Sequence, residues 1–525
     1  VCCIISCCNE LNAAYAADGY ARARGIAVVF VTFSVGGLSA LNAIAGAYAE
    51  NLPVIIVSGG PNTNSIHNHQ LLHHSLATLN FSYVREIFQK VTVSSQRIDY
   101  ASDAANQIDH LITEALTHHK PVYLEIPCNL ANEPIPSIPQ FSLEAKKFLS
   151  NDAALQAAVN AAKKLLNDAE KPALVIGSLL KAWHAVASTQ EFVEYAKYPV
   201  AIMPDAKSLF PEFHPQFVGI YWGPISHPKI CQQIIETADA YLFAGAVFTD
   251  YSTCGFQMNI DSKKLILLKE NQVHIGGQIF LEINIHEFLI ALAKVIIPNN
   301  KGLAFFKPEK KLPAISSSNQ SLTRFETFAH IQEILTEKNA VIAETGDSWF
   351  NCIDLKLPNG SLFEIQMTYG SIGWSVGCLL GYQLALKDSH RVIACIGDGS
   401  FQLTAQEVST MIRYNLKPII FVMNNHGYTI EAEIHDGIYN KIHNWNYSEL
   451  ISVFNTKNTA AWGCSVNTSI ALKKALEKAL EIDALCIIEV HLEKNDCNPN
   501  LLEWGKYVAS SNSKGYVKPT GYNEF

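Results

Sequence analysis

The chain has 525 residues and a mass of 57.9 kDa, enough for about three domains at roughly 100–200 residues each. Hydrophobic residues make up 49% and charged residues 17%, which excludes a disordered chain and leaves material for large cores. With 39 Lys and Arg against 48 Asp and Glu the net charge is −9, which speaks against a nucleic-acid-binding surface and for small-molecule ligands.

From the N-terminus, Cys2, Cys3, Cys7 and Cys8 crowd together, but no second Cys or His pair follows at zinc-ligand spacing, so the segment reads as a buried apolar strand. Glu10 opens a helix that continues through Asn12, Ala14 and Tyr20, where a first-turn carboxylate suits the helix dipole. Ala27 to Val31 reads as a strand, a helix follows from about Leu38, and Pro53 to Val57 is the next strand. His73 and His74 are adjacent, so on a regular helix or strand their side chains point in different directions. Pro134, Pro136 and Pro139 mark one linker; a second runs from Pro298 through Pro308 and Pro313 to Ser316–Ser318.

The blocks so divided, near 1–140, 141–313 and 314–525, each alternate strand and helix, as in the middle-block strands Ala173 to Ile176 and Tyr241 to Ala244. Three α/β domains with doubly wound parallel sheets are expected. No apolar run approaches the roughly 20 residues that span a bilayer. Thirteen cysteines without framework spacing suit a reducing compartment, so the cytoplasm is the expected location. The chain opens on Val1 with no secretory pattern, and the missing initiator Met suggests a fragment.

The third block carries the clearest chemistry. A strand from Arg391 to Ile396 runs into Gly397, Asp398, Gly399 and Ser400, and a helix is expected from about Leu403 to Tyr414. Glycines let the backbone approach a diphosphate, and helix N–H groups can receive the same anion. Pro418 to Met423 reads as the next strand and ends in Asn424 and Asn425. In a right-handed βαβ unit both strands end at one sheet edge, so Asp398 and Asn425, 27 residues apart, can converge on one cation. Hard oxygen donors suit Mg²⁺, with the Gly427 carbonyl as a third ligand.

GDGS with a paired Asn at this spacing resembles the diphosphate-binding motif of thiamine-diphosphate enzymes. The resemblance widens to the pyruvate decarboxylase family through NELNAAYAADGYARARG (9–25), VTFSVGGLSALNAIAGAYAENLPV (31–54), LLHHSL (71–76), AETGDSWFN (343–351), YGSIGWS (369–375) and NNHGYTIEAEIHDG (424–437). It covers nearly the whole chain. It implies a thiamine-diphosphate-binding fold with pyrimidine-binding, central and diphosphate-binding domains. It also implies non-oxidative decarboxylation of a 2-oxo acid, with thiamine diphosphate and Mg²⁺ held between two subunits of a homodimer, itself part of a homotetramer.

By the same resemblance Glu10 hydrogen-bonds the aminopyrimidine and activates the cofactor, while the Gly370 carbonyl, Ser371 and Ile372 hold it bent. Asp347, Gly399, Ser400, Asn425, Gly427, Tyr428, Thr429 and Ile430 complete the cofactor site, with Asp398, Asn425 and Gly427 on the metal. His73 and His74 relay protons and position substrate, and Glu431 transfers protons beside the reacting carbon. Tyr251, Trp349, Ile430 and Ile434 line the substrate pocket with His74 and Glu431. Bulky side chains there favour pyruvate over indolepyruvate or phenylpyruvate.

One departure stands out. The family carries about forty residues before this glutamate, including a strand and a Gly-Asp-Phe/Tyr-Asn turn whose aspartate joins the proton relay, so the first domain is expected to lack a strand and to expose apolar edges. The rival readings are an acetolactate-synthase-like carboligase, against which Glu431 and the histidine pair argue, and a catalytically silent protein that binds thiamine diphosphate.

Overall fold

The computed structural model describes residues 4–135, 148–304, 306, 320–456 and 459–513. Pro136, Pro139, Pro308, Pro313 and Ser316–Ser318 of the expected linkers, with Cys2 and Cys3, lie outside them. Three sheets follow one another along the chain. The first has four parallel strands in the order Ala27–Val31, Val54–Gly60, Val122–Pro127, Ser94–Arg97. The second has seven: the parallel group Leu265–Lys269, Ala240–Ala244, Pro172–Ile176, Val200–Ile202 and Phe217–Ile220, extended at the Leu265–Lys269 edge by the antiparallel strands Gln272–Ile275 and Gln278–Leu281. The third has six parallel strands in the order Leu362–Ile365, Asn339–Ala343, Arg391–Gly397, Ile419–Asn424, Leu485–His491, Ala461–Val466.

Two expectations for the N-terminal segment change. Residues 4–8 form no strand; Ile4 is 76% exposed, and the Cys8 amide is anchored instead by Glu407 Oε1 at 2.7 Å. The Ala27–Val31 strand is an edge strand buried on one face only, with Val28 and Phe30 open. The helix after it starts at Val35 rather than Leu38.

The Glu10–Arg24 helix is capped by the Asn9 side chain, which accepts from Asn12 N, and is stopped by left-handed Gly25. It lies against the Trp374–Leu386 helix, which follows the YGSIGWS loop. Contact is so close that a Cβ on Gly381 would stand 1.7 Å from Ala16 O, and one on Gly19 2.0 Å from Cys378 O. Only glycine permits this approach. It brings Tyr15, on the first helix, to the loop that carries Ile372.

Candidate active site

In the third sheet the chain moves outward from Asn339–Ala343 to one edge, then returns to Arg391–Gly397 and moves toward the other. The strand order therefore reverses between these two strands, and ligands of open α/β sheets bind outside the carboxyl ends at such a point. Gly397 pairs with Met423, so Asp398 and the Asn424–Asn425 pair emerge side by side. The helix begins at Asp398 itself, not at Leu403, and breaks into Asp398–Thr404 and Glu407–Arg413. Asp398 is buried; its Oδ1 accepts from Gly399 N at 2.7 Å and its Oδ2 from Gly427 N at 3.1 Å. Burial pushes this carboxyl up to about 6, against the lowering effect of its backbone donors.

The two asparagines have different partners. Asn424 is buried and donates to Glu489 Oε1 on the neighbouring strand at 2.8 Å. Asn425 donates its Nδ2 to Thr429 Oγ1 at 2.6 Å, which leaves its amide oxygen for the pocket. That pocket is lined by Asp347, Ile372, Asp398, Gly399, Ser400, Asn425, Gly427, Tyr428, Thr429 and Ile430 together with Thr345, Gly346 and Gly397. Asp347 is pushed up to about 6 by burial, while Asn498 N and Asn351 Nδ2 hold its two oxygens at 2.9 and 2.7 Å.

The loop bearing Gly370, Ser371 and Ile372 is fixed from two sides. Tyr15 Oη lies 2.6 Å from Ser371 Oγ, Asn42 Nδ2 donates to Tyr15 Oη at 3.0 Å, and Gln366 Oε1 accepts from Ser371 N at 2.7 Å. Glu50 Oε1 accepts from Thr368 N and Tyr369 N at 2.9 and 3.1 Å; burial pushes its carboxyl up to about 7 despite Arg22 nearby. Beneath the loop lies a carboxylate that sequence reasoning did not single out. Glu344 directly follows the Asn339–Ala343 strand, is fully buried, and is pushed by that burial up to about 7 while its four donors act the other way. Its one local signal is an acidic residue at the end of an apolar strand.

Tyr251 and Trp349 meet edge to face at 5.9 Å, and Gly370 faces both, since a Cβ there would contact Tyr251 Cε2 and Trp349 Cη2. Trp349 is fully buried. Trp222, in the central block, and Trp504, on the Pro499–Ser513 helix, donate their indole N–H groups to Tyr251 O at 2.8 and 3.2 Å, so the Tyr251 backbone is held by two further aromatics. Glu431 lies in the first turn of the Thr429–His435 helix, half-buried, and its charge raises the hydroxyl groups of Tyr251 and Tyr428, whose principal perturbation is burial. Ile434 sits one turn on and is half-buried.

Tyr251, Trp349, Gly370, Ser371, Glu431 and Ile434 are grouped around this pocket without entering its lining, and three further expected site residues, Glu10, His73 and His74, do not join it within one chain. Glu10 faces Gly36, where a Cβ would lie 3.5 Å from Glu10 Oε1. His73 and His74 are exposed, and their rings lie 4.6 Å apart rather than diverging. They occupy a turn in which His74 has φ 58°, so the alternation of a regular element does not govern them.

The donor set fits a magnesium diphosphate. Among the described residues no group of three or more His, Cys, Asp or Glu side chains gathers to hold a metal. One buried carboxylate with an amide oxygen instead suits an ion that takes its remaining ligands from phosphates and water. The Gly399 backbone is equally close-packed: a Cβ there would strike Tyr428 Cε1 at 2.5 Å.

Comparison with known proteins agrees with this geometry. Family models match at residues 3–81 (thiamine pyrophosphate enzyme, N-terminal TPP binding domain), 159–293 (central domain) and 344–490 (C-terminal TPP binding domain). Pyruvate decarboxylase 2 of Oryza sativa subsp. japonica is 49% identical over 97% of this chain and 85% of its own length. Pyruvate decarboxylase 2 of Arabidopsis thaliana is 47% identical over the same shares, 97% and 85%. A solved structure from Mycobacterium smegmatis, described as a thiamin diphosphate-dependent enzyme, superimposes with a TM-score of 0.74 over 93% of this chain and 92% of that one; at 21% identity it speaks to the fold alone. On the strength of the plant sequences and of three family models that fall in chain order, one on each of the three successive sheets, the chain belongs to the pyruvate decarboxylase family of thiamine pyrophosphate enzymes.

Proposed function

We propose that the chain converts pyruvate to acetaldehyde and CO₂ with thiamine diphosphate and Mg²⁺. The observation that carries this is the meeting of Asp398, Asn425 and Gly427 at the switch point of the third sheet, beneath the Ile372 loop. Asp398, the Asn425 amide oxygen and the Gly427 carbonyl would hold the metal. Gly399, Ser400, Tyr428, Thr429 and Asp347 would receive the diphosphate. Ile372 would support the bound cofactor, and the Gly370 carbonyl and Ser371 would help to hold it. When bound, the thiazolium supplies the electron sink for loss of CO₂.

The remaining tasks fall to proton carriers and to shape. Glu10 holds a proton at the aminopyrimidine ring. Because Glu10 does not line the pocket of its own chain, a second copy supplies it, so we infer a homodimer as the smallest active unit, assembled into a homotetramer. His73 and His74, paired in an exposed turn, deliver protons from the same side, with His74 also contacting substrate. Glu431, whose charge reaches the hydroxyls of both Tyr251 and Tyr428, moves the proton at the reacting carbon. Tyr251, Trp349, Ile430 and Ile434 exclude water and leave room for little more than a methyl group. No helix among the described residues is long and apolar enough to cross a membrane. The eleven described cysteines are free, which supports a reducing, cytoplasmic setting.

The test is to supply thiamine diphosphate, Mg²⁺ and pyruvate and to couple aldehyde release to NADH oxidation. Acetaldehyde as main product upholds the reading. Acetolactate as main product would favour a carboligase, and cofactor binding without product a silent protein.

A further inference from the structure

The loop that carries Ile372 ends where the thirteen-residue helix Trp374–Leu386 begins. The residue at its N-cap is Gly373, which has no side chain to accept from the first-turn amides. The missing acceptor comes from another strand. Glu344 Oε1 accepts from Gly373 N at 3.1 Å and from Thr345 N at 2.9 Å. Its Oε2 accepts from Ser375 N at 3.2 Å and from the Ser375 hydroxyl. Glu344 and Ser375 are both fully buried, so water is not available in place of the carboxylate.

We propose that Glu344 is a positioning residue: it caps the Trp374–Leu386 helix from the Asn339–Ala343 strand and so fixes the height of Ile372, one residue before the cap. This rests on the reading above that Ile372 supports the cofactor. The physical case has two parts. A carboxylate at a helix N-terminus answers both orphan amides and the positive end of the dipole. Gly373, in turn, cannot slide, because its carbonyl accepts from Thr404 Oγ1 at 2.6 Å and it holds φ 91° against Leu403 and Ser400. A glutamine fills the same volume, yet it offers one oxygen and one NH₂ where four donors need two oxygens. One pair of donors then faces another donor.

The test uses the full chain carrying Glu344→Gln. Binding of Mg²⁺ and thiamine diphosphate is followed by quenching of tryptophan fluorescence, and kcat and KM for pyruvate are measured separately. Loss of the acceptor for that pair of donors is expected to weaken cofactor binding at least about tenfold and to lower kcat by about the same factor. KM for pyruvate should move by less than about twofold, because the substrate touches neither Glu344 nor the cap. Hydrogen exchange at Gly373 and Ser375 provides a readout that needs no cofactor. Faster exchange there, with the melting temperature unchanged, supports the cap. Cofactor affinity, kcat and exchange all within about twofold of wild type would overturn it. If Glu344→Gln does not fold, Ser375→Ala removes the hydroxyl donor alone and should move the same three readouts in the same direction by a smaller factor; no movement would overturn the proposal. Failure of the wild type to bind thiamine diphosphate would instead count against the proposed function, and the exchange measurement would still decide the role of Glu344.

Discussion

Replacing Gly399 with alanine tests the diphosphate cradle most directly. A Cβ at this position would stand 2.5 Å from Tyr428 Cε1 and 2.6 Å from its Cζ. Ordinary carbon contacts lie at about 3.5–4.0 Å, so the ring must retreat by about 1 Å. In doing so it surrenders the hydrogen bond from its hydroxyl to Gly399 O at 3.1 Å. Overpacking of this kind costs about 1–3 kcal/mol, and the lost neutral hydrogen bond about 1 kcal/mol more. Tyr428 itself lines the pocket, so its displacement also intrudes on the space of the bound diphosphate. Gly399→Ala should therefore lower the melting temperature and weaken binding of Mg²⁺ and thiamine diphosphate at least about tenfold, as read by tryptophan quenching. Adding Tyr428→Ala removes the obstacle, so the double variant should recover part of the stability, with a coupling energy of about 1–3 kcal/mol. Wild-type affinity in Gly399→Ala, or strictly additive losses in the double variant, would refute the reasoning.

Glu10→Gln should bind cofactor yet lose most acetaldehyde production, and turnover equal to wild type would remove Glu10 from the chemistry. Mixing Glu10→Gln chains with Asp398→Asn chains should regenerate about a quarter of wild-type activity, because only mixed dimers contain one intact site in two; no recovery would mean that each site lies within one chain. Burial pushes the Glu50 carboxyl up to about 7, above the ordinary carboxylate value. The folded state therefore binds the extra proton, so its contribution to stability is complete below the unfolded value and is lost as pH rises through about 7. Melting temperatures of the cofactor-free chain between about pH 5 and 8 should fall more steeply for wild type than for Glu50→Gln. Trp349→Ala should shift kcat/KM toward phenylpyruvate by about tenfold or more relative to pyruvate, at a stability cost of about 3–5 kcal/mol for emptying a buried indole site.

Much of this protein follows from local sequence. The Ala27–Val31 strand, the strand that leads into Gly397–Ser400, and the next strand ending at the Asn pair are short apolar runs punctuated by Gly and Asn, and backbone propensity suffices to define them. The helix opening at Glu10 is likewise legible, because its cap is the adjacent Asn9. Other features depend on partners far along the chain. Asn425 rather than Asn424 faces the pocket because Glu489, 65 residues later, binds Asn424. Glu344 acquires its role only when Gly373 and Ser375 arrive above it, and the histidine pair takes its geometry from a turn. Cys7 and Cys8 have the composition of a strand but gain no neighbouring strand, and Glu407 anchors them as an irregular segment instead. Propensity and periodicity act over a few residues, whereas a buried polar group needs a partner, and only the folded chain decides which one it finds.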